Sequence, residues 1–286
     1  MRTGNNTNDV LQLFGKSLIE QGKSVGTFKT YSKVVEHFLN YLIVNKIINN
    51  IDDIDAKGVH EYVESLKQEN KSSSTIEKHI AAINIFLCYI EKPHIRTYLP
   101  RKQKENTKLR PQSLTKEEEI QLLHEIELDG NIRNIAIVYL LLHTGIRVSE
   151  LCNLNKTDIK IGSSDEGQIV VRDEGSLHNS RMIPLSTFAL KHLLRYLDSL
   201  DTDSNALFIS SFNQRITTRA VQYMLKKYNV HPHLLRHTFC YRLVDHGVDL
   251  NTVSKLAGHK DINITKRYVK KDAEHNMTIA IKRTFA

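Results

Sequence analysis

Hydrophobic residues recur every three or four positions through much of the first 95 residues. In residues 24–45 this spacing is kept by Phe28, Tyr31, Val35, Phe38 and Leu42. Such a stripe covers one face of an α-helix, and Ser24 suits the N-cap that would precede it. Residues 8–21, 55–70 and 73–92 follow the same pattern, the last two opened by Asp or Ser. The pattern predicts a compact unit of four helices whose stripes form its core.

The periodicity stops at Lys92. Residues 92–112 hold three of the five prolines and show no apolar spacing. Because proline lacks a backbone donor and restricts the residue before it, this stretch is predicted to be an extended linker. We therefore expect a helical domain at 1–95, a linker at 96–111 and a second domain at 112–286.

The second domain combines helices with a few short strands. Thr115 and Glu118 have the spacing of a capping box for a helix over 113–127, and Gly145 would close an apolar helix over 131–145. Residues 158–161, 168–173 and 180–186 are short and rich in β-branched residues, which predicts a small antiparallel sheet. The remaining sequence returns to helical spacing. The predicted fold class is mainly α with a small antiparallel β-sheet.

Basic residues are concentrated in two places. The net charge is +8; residues 96–110 carry six basic and one acidic side chain, and residues 255–286 carry eight and three. Lys and Arg patches favour nucleic acid because each phosphate contact releases counterions. A plain, solvated tether is the alternative. The candidate DNA-binding residues of the linker are Arg101, Lys102, Lys104, Lys108 and Arg110.

The chain shows no signal of a membrane or secreted protein. Its longest apolar run, residues 135–142, is well short of the roughly 20 residues that a membrane span needs. Cys88, Cys152 and Cys240 are scattered, with no CxxC motif. We expect reduced thiols and a cytoplasmic location.

Five residues in four motifs suggest one chemistry. They are Arg147, His233, Arg236, His259 and Tyr268. Arginine offers a planar, permanently charged fork of donors that matches phosphate, and two arginines can do what two metal ions do elsewhere. A phenol can attack phosphorus when a base and a positive field assist it, and histidine can take or return the proton. The set predicts attack on a phosphodiester, with neither metal nor cofactor required.

Each residue also has a structural interpretation. Arg147 could cap a helix or pair with Glu150, and His259 could be a turn residue. His233 and His237 could be imidazoles on the surface, and Tyr268 could be buried on an amphipathic helix. We expect His237 to form a local hydrogen bond only. His233, His237 and His259 could instead be ligands of a metalloenzyme, but Arg236 between them would oppose binding of a cation.

The motifs "TGIRVSEL", "HLLRHTF", "LAGH" and "KRYV", in this order, resemble those of the tyrosine site-specific recombinases, or phage integrase family, and especially its Xer-like members. The resemblance implies an N-terminal helical core-binding (SAM-like) domain followed by the catalytic domain. It also implies that Arg147 and Arg236 bind the scissile phosphate, that His233 and His259 assist, and that Tyr268 is the nucleophile. Glu150 matches an acidic position that supports the site.

One departure concerns the family's catalytic lysine, which protonates the departing 5′ hydroxyl from a turn of the small sheet. This chain has no lysine between Lys160 and Lys191, and Ser176 lies near the expected position. Arg172, His178 and Arg181 are the candidate substitutes. Arginine is a poor proton donor, and our hypothesis is that His178 or Arg172 reaches the leaving oxygen.

The resemblance further implies a homotetramer on two double-stranded DNA sites. It would exchange strands through a covalent 3′-phosphotyrosyl intermediate and a Holliday junction, with C-terminal tails docking on neighbouring protomers and accessory DNA-binding proteins as candidate partners. A role in a mobile element, such as a transposon cointegrate resolvase, is the preferred biological interpretation. The alternatives are a catalytically weak or inactive DNA-binding relative and a type IB topoisomerase-like enzyme.

Overall fold

The computed structural model describes residues 7–96, 111–162, 166–172 and 180–269. Its contacts divide the chain into two compact units, Met1–Thr107 and Lys108–Ala286. The division falls within the predicted linker, while the domain boundaries at residues 95 and 112 stay a prediction. The candidate linker residues Arg101, Lys102, Lys104, Lys108 and Arg110, the candidate His178 and the predicted tail after Val269 lie outside the described residues.

The first unit contains the four predicted helices. They are α1 (Thr7–Glu20), α2 (Val25–Val44), α3 (Ala56–Gln68) and α4 (Ser73–Tyr89). The predicted Ser24 cap is confirmed, because its side chain accepts the Thr27 N–H at 3.2 Å. The apolar stripes meet in one core, in which Phe38, Leu42 and Tyr62 are fully buried.

The start of the proline-containing stretch 92–112, which was predicted to be extended, is an exception. Pro93–Ile95 form a short 3-10 helix rather than an extended segment, and Ile95 packs into the core of the first unit. Proline is well tolerated in the first turn of a helix, where its missing N–H has no partner to lose. Burial of one apolar side chain then holds this turn in place.

The second unit is built around one apolar helix. Its helices are α5 (Lys116–Leu128), α6 (Ile132–Thr144), α7 (Val148–Asn153), α8 (Thr187–Asp198), α9 (Thr218–Lys226), α10 (Pro232–Asp245), α11 (Leu250–Ala257) and α12 (Ile262–Thr265). The side chains of residues 135–142 on α6 are all buried, and α6 packs against α5, α8 and α10. This explains why residues 135–142 are apolar on every face.

The predicted sheet is antiparallel, with strand order β1 (Ile159–Ile161), β2 (Gly167–Arg172), β3 (Ser180–Leu185). Ile169 pairs with Ile183, and both face the core. The mainly α fold class with a small antiparallel sheet is thereby confirmed. Within the described ranges, no helix is long and apolar enough to cross a membrane.

One predicted helix end in the second unit is confirmed, and another differs from the prediction. The capping box is present, since Thr115 accepts the Glu118 N–H and Glu118 accepts the Thr115 N–H. The predicted helix through Tyr268 is shorter than expected: α12 ends at Thr265, and a 3-10 turn, Lys266–Tyr268, carries the tyrosine. A tighter turn changes the direction in which the Tyr268 side chain points.

Candidate active site

The turn between α6 and α7 places the first candidate arginine. Gly145 ends α6 in the left-handed conformation, with φ +61°. Arg147 follows as the N-cap residue of α7, its backbone N–H donating to Glu150 Oε2 at 2.7 Å and its Nη1 to Oε1 at 2.9 Å. Both structural roles considered for Arg147, a cap and a partner of Glu150, are therefore present. Its side chain is nevertheless 37% exposed.

Glu150 joins two arginines. Its side chain is buried, and besides Arg147 it accepts hydrogen bonds from Arg181 Nη1 at 3.1 Å and Nη2 at 2.7 Å. Burial by itself would raise the pKa of Glu150, but the hydrogen bonds from Arg181 and from the Arg147 backbone outweigh it and lower the pKa. Glu150 therefore stays ionised and orients both guanidinium groups.

Arg236 enters the same region from α10. It is only 6% exposed, and its Nη1 donates to the carbonyl oxygen of Gly145. Burial, and then the nearby charge of Arg147, lowers the pKa of Arg236, although a guanidinium remains charged at neutral pH. Two arginine cations thus lie close enough to repel each other, which is the environment that an anion would stabilise.

The turn between α11 and α12 completes this region. Gly258, with φ +67°, accepts a hydrogen bond on its carbonyl from Arg147 Nη2 at 2.7 Å. A Cβ at Gly258 would lie 2.8 Å from Arg181 Cζ, so only glycine allows this close approach. Arg181 Nε also donates to the Leu256 carbonyl at 2.9 Å, and strand β3 is thereby tied to this turn.

His259 follows Gly258 and faces Thr265. Its Nδ1 lies 2.8 Å from the buried Thr265 Oγ1. Burial, followed by the charges of Arg236 and Arg147, lowers the pKa of His259 to about 4. The imidazole is therefore neutral at pH 7 and sits in a positive field. A turn residue was one interpretation of His259, and the structure adds the proximity to both arginines.

Tyr268 is buried, with 1% of its surface exposed. Its ring lies parallel to that of His259, with centroids 6.3 Å apart. Burial, and then the Cys240 thiol, raises the pKa of Tyr268, while Arg236 opposes the rise. At rest the phenol therefore keeps its proton.

The remaining candidate histidine is on the surface. His233 is exposed at the start of α10, one turn before Arg236, and its ring centroid is 6.4 Å from that of His237. Burial, then His231 and Arg236, lowers the pKa of His233. His233 is thus exposed, whereas Arg236, one turn further along the same helix, is buried.

His237 corrects a sequence-based expectation. Rather than a local hydrogen bond, its Nδ1 makes a 2.7 Å contact with Tyr268 Oη, 31 residues further along the chain. Its position immediately after Arg236 was a signal that could have indicated proximity to the site. The sequence could not show that Tyr268 is the partner of His237, because Tyr268 belongs to a different element.

The candidate substitutes for the missing lysine are engaged in different ways. Arg172, 59% exposed at the end of β2, forms an ion pair with the buried Asp158. Arg181 holds Glu150 and the Leu256 carbonyl, as described above. His178 and Ser176 belong to the β2–β3 connection outside the described residues. The lysine substitute among Arg172, His178 and Arg181 therefore stays a prediction.

A metal site would need neutral or acidic ligands. In the described part of the chain there is no group of three or more His, Cys, Asp or Glu side chains arranged to hold a metal ion. Of the three histidines considered for such a site, His237 contacts Tyr268 and His259 contacts Thr265. The surrounding guanidinium groups suit an anion better than a cation.

Comparison with known families agrees with the geometry. Residues 112–275 match the model "Phage integrase family" and residues 11–92 match "Phage integrase, N-terminal SAM-like domain". The tyrosine recombinase XerA of Thermococcus kodakarensis is 30% identical, with 94% of this chain and 93% of the relative covered.

Solved structures show the same fold. A XerH site-specific recombinase bound to its difH substrate has a TM-score of 0.72 at 19% identity, covering 96% of this chain and 84% of that one. The Tn1549 transposon integrase in complex with transposon right end DNA also has a TM-score of 0.72, at 21% identity, covering 97% and 99%. The family match over both parts of the chain, together with the relative that is 30% identical over 94% of the chain, leads to one conclusion: the chain belongs to the phage integrase family and is a tyrosine recombinase.

Proposed function

We propose that this tyrosine recombinase cuts and rejoins DNA at a specific site through a covalent 3′-phosphotyrosyl intermediate. The observation that carries the proposal is the convergence of Arg147, Arg236, His259 and Tyr268 from three turns and a helix on one small region. The roles of these residues in catalysis are part of the proposal.

The two arginines are suited to clamp the scissile phosphate. Arg147 and Arg236 are each fixed by a backbone carbonyl, of Gly258 and Gly145 respectively. Displacement at phosphorus increases negative charge on the non-bridging oxygens, and preorganised cations stabilise that charge without having to reorganise. His233, which is exposed beside this region, and His259 would add hydrogen bonds to the same oxygens. No metal ion is required for this step.

Tyr268 would supply the nucleophile. Its attack conserves the energy of the phosphodiester in a protein–DNA bond, which suits rejoining rather than hydrolysis. The XerH structure carries the description "pre-cleavage complex" with a difH substrate, and the Tn1549 integrase was solved with transposon DNA. These likenesses support double-stranded DNA as the partner here, and with it a cytoplasmic site of action.

The full reaction would require more than one protomer. We place four protomers on two DNA sites, exchanging strands in pairs through a Holliday junction, with or without accessory DNA-binding proteins. Integration, excision or resolution of a mobile element would use the same chemistry, and a transposon cointegrate resolvase is the role that we favour.

The proposal can be tested with nicked suicide duplexes tiled across the DNA that flanks the protein's own gene. After cleavage the short strand leaves and the covalent adduct is trapped, so it appears as a shifted band in a denaturing gel. Tyr268→Phe should abolish the adduct, whereas Tyr223→Phe and Tyr241→Phe should not. No adduct with the wild-type protein on any duplex, or an adduct that survives Tyr268→Phe, would overturn the proposal.

The missing lysine leaves the proton donor for the 5′ oxygen to be identified. Because Arg172 is paired with Asp158 and Arg181 with Glu150, His178 becomes the substitute that we favour. His178→Ala should slow cleavage of a normal duplex but not of one with sulfur at the bridging 5′ position, since a thiolate leaves without a proton. Equal rates for His178→Ala, Arg172→Ala and wild type on the normal duplex would show that neither residue is the donor.

A catalytically weak DNA-binding relative is the second candidate, favoured by the absent lysine and the buried Tyr268. It predicts specific DNA binding without an adduct in the same assay. A topoisomerase-like enzyme predicts relaxation of supercoiled plasmids that lack the site.

The C-terminal tail offers a separate test of assembly. The tail over residues 270–286 combines apolar residues with four Lys and Arg side chains, as we expect for a segment that docks on a neighbouring protomer. The segment to delete is residues 272–286. Deletion of this segment should spare DNA binding but impair recombination between two sites. Normal recombination by the truncated protein would contradict a docking role.

A further inference from the structure

The contact between His237 and Tyr268 has no counterpart in the functions proposed above. His237 Nδ1 lies 2.7 Å from Tyr268 Oη, the atom that would attack phosphorus. The two rings are tilted by 47°, with centroids 5.8 Å apart, so the imidazole meets the hydroxyl through its edge. This is hydrogen-bond geometry and not ring stacking.

The surroundings of His237 decide which partner holds the proton. The charged and titratable groups near it are His231 just before α10, His233 and Arg236 on α10, His259 after α11, and Arg267 and Tyr268 on the 3-10 turn. Burial, followed by His233 and Arg267, lowers the pKa of His237 to about 4. The ring is therefore neutral at pH 7, and the phenol of Tyr268 keeps its proton. In the tautomer that carries the imidazole proton on Nε2, Oη donates and Nδ1 accepts.

Other groups near Tyr268 are less suited to accept that proton. His259 lies parallel to the Tyr268 ring, and its Nδ1 is directed at Thr265. The Cys240 thiol also contacts the Tyr268 hydroxyl, but burial raises the pKa of Cys240, so the thiol remains protonated. His237 thus places a basic nitrogen in contact with the reacting oxygen.

We propose that His237 is the proton acceptor for Tyr268 during strand cleavage, an inference that rests on the proposed function of Tyr268 as nucleophile. As Oη forms its bond to phosphorus and the bond from phosphorus to O5′ breaks, the phenolic proton passes to Nδ1 and gives an imidazolium. The leaving O5′ takes a proton from a separate donor or from water. In rejoining, the 5′ hydroxyl attacks phosphorus and returns its proton to that donor or to water, while the departing phenolate takes its proton back from His237.

Binding of DNA would make this transfer easier. His237 is a weak base at rest because cations surround it. A phosphate anion held by Arg147 and Arg236 offsets part of that positive field and so increases the basicity of the imidazole. In this arrangement the nucleophile is activated only when the scissile phosphate is bound.

The first experiment compares adduct formation by the full chain on a nicked duplex that the wild-type protein cleaves. His237→Asn places an amide oxygen near the position of Nδ1, so it can hold the phenol but cannot take its proton; His237→Ala does neither. Both should lower the cleavage rate about 100-fold with DNA affinity unchanged, while His246→Asn, at the end of the same helix, should match wild type.

The outcomes separate the inference from the proposed function. Failure of the wild-type protein to form an adduct removes the proposed function itself. A wild-type adduct together with a normal rate in His237→Asn means that His237 only positions the phenol. A faster rate in either variant means that His237 restrains Tyr268. Either of the last two results would overturn the inference.

A second experiment provides a chemical rescue. Replacement of Tyr268 by 3,5-difluorotyrosine makes the phenol more acidic and less dependent on a base. This change should restore cleavage by His237→Asn at least 10-fold, with little effect in the wild-type background. A duplex with bridging 5′ sulfur should not rescue His237→Asn; rescue by sulfur and not by fluorine would identify His237 as a donor to the leaving group instead.

Discussion

At the scale of residues, the candidate site is an arrangement of cations held by one carboxylate and several carbonyl oxygens. Glu150 binds Arg147 and Arg181, while Gly145 and Gly258 provide carbonyl acceptors for Arg236 and Arg147. Guanidinium groups that are fixed before DNA arrives lose little conformational freedom on binding phosphate. Preorganisation of this kind is what a metal-free phosphoryl transfer needs.

The role of Glu150 leads to a first prediction. Glu150→Gln keeps the shape but removes the buried charge that compensates two arginines, and we expect a loss of about 3 kcal/mol in the free energy of unfolding, with slower adduct formation. Glu119→Gln is a matched control, because its ion pair with Arg242 is partly exposed and should contribute under about 1 kcal/mol. Equal losses in urea denaturation would contradict the anchoring role of Glu150.

A second prediction concerns pH and the two histidines whose pKa lies near 4. Free histidine titrates near 6.5, so between pH 6.5 and 4 the unfolded chain binds protons that folded His237 and His259 do not. Their contribution to stability is complete above pH 6.5 and is lost as the pH falls through this window. Because both groups are only partly buried, solvent screening limits the loss to about 1 kcal/mol each.

The measurement is the free energy of unfolding at about pH 7.5 and about pH 5. His237→Asn should reduce the difference between the two values, while His246→Asn should leave it as in the wild type. A difference that is the same in His237→Asn and wild type would show that His237 does not remain neutral in the folded protein.

At the scale of elements, left-handed glycines direct the chain into the site. Gly145 and Gly258 end α6 and α11 with positive φ, and the next residues carry the functional side chains. Each glycine also lies against another element, Gly145 against the Phe239 ring and Gly258 against Arg181. A helix end and a close approach are thus combined in the same residue.

Gly145→Ala gives the prediction at this scale. A Cβ at Gly145 would lie 2.2 Å from Phe239 Cδ1, so overpacking adds to the strain of the left-handed conformation. Together they should lower the free energy of unfolding by about 2 to 4 kcal/mol. Gly130→Ala has a similar φ of +67° but nothing within 4 Å of its Cβ, and it should cost about 1 kcal/mol. Adduct formation should also fall for Gly145→Ala, because the Gly145 carbonyl holds Arg236.

Thermal and urea denaturation of the two variants would measure the difference. If both alanine variants lose the same stability, the Phe239 contact does not constrain the turn. If Gly145→Ala is destabilised but cleaves DNA at the wild-type rate, the position of Arg236 does not depend on this turn.

At the scale of the whole molecule, the chain consists of two compact units, each with its own core. The first is a bundle of helices that contains none of the five candidate catalytic residues. The second contains all five. The predicted basic segment at 96–110, which lies between the two units in the sequence, would add contacts to the DNA backbone. Such contacts agree with the net charge of +8.

Salt dependence gives the prediction at this scale. The logarithm of DNA affinity should fall linearly with the logarithm of salt concentration, with a slope of about −0.9 for each phosphate contact. Lys102→Gln or Lys104→Gln should each make the slope less negative by about 1 without changing the preference for the DNA site. Lys67→Gln should not, because Lys67 is paired with Glu64. Slopes unchanged by the linker substitutions would argue for a plain tether.

The sequence by itself determined the elements and the class of chemistry. Helix periodicity, the Thr115–Glu118 capping box and the Gly145 helix end are local features, set by residues within four positions of each other. Three turns and one helix of the candidate site were also identifiable, because Arg147, Arg236, His259 and Tyr268 lie in ordered motifs.

Only the tertiary structure decided how those residues are connected. The contact of His237 with Tyr268, the pairing of Arg181 with Glu150 and the burial of Tyr268 each join distant parts of the chain. Spacing along the sequence does not encode such contacts, since they depend on the way in which α10, β3 and the last turn pack. The pKa values near 4 of His237 and His259 are likewise a product of burial and converging cations, which exist only in the folded protein.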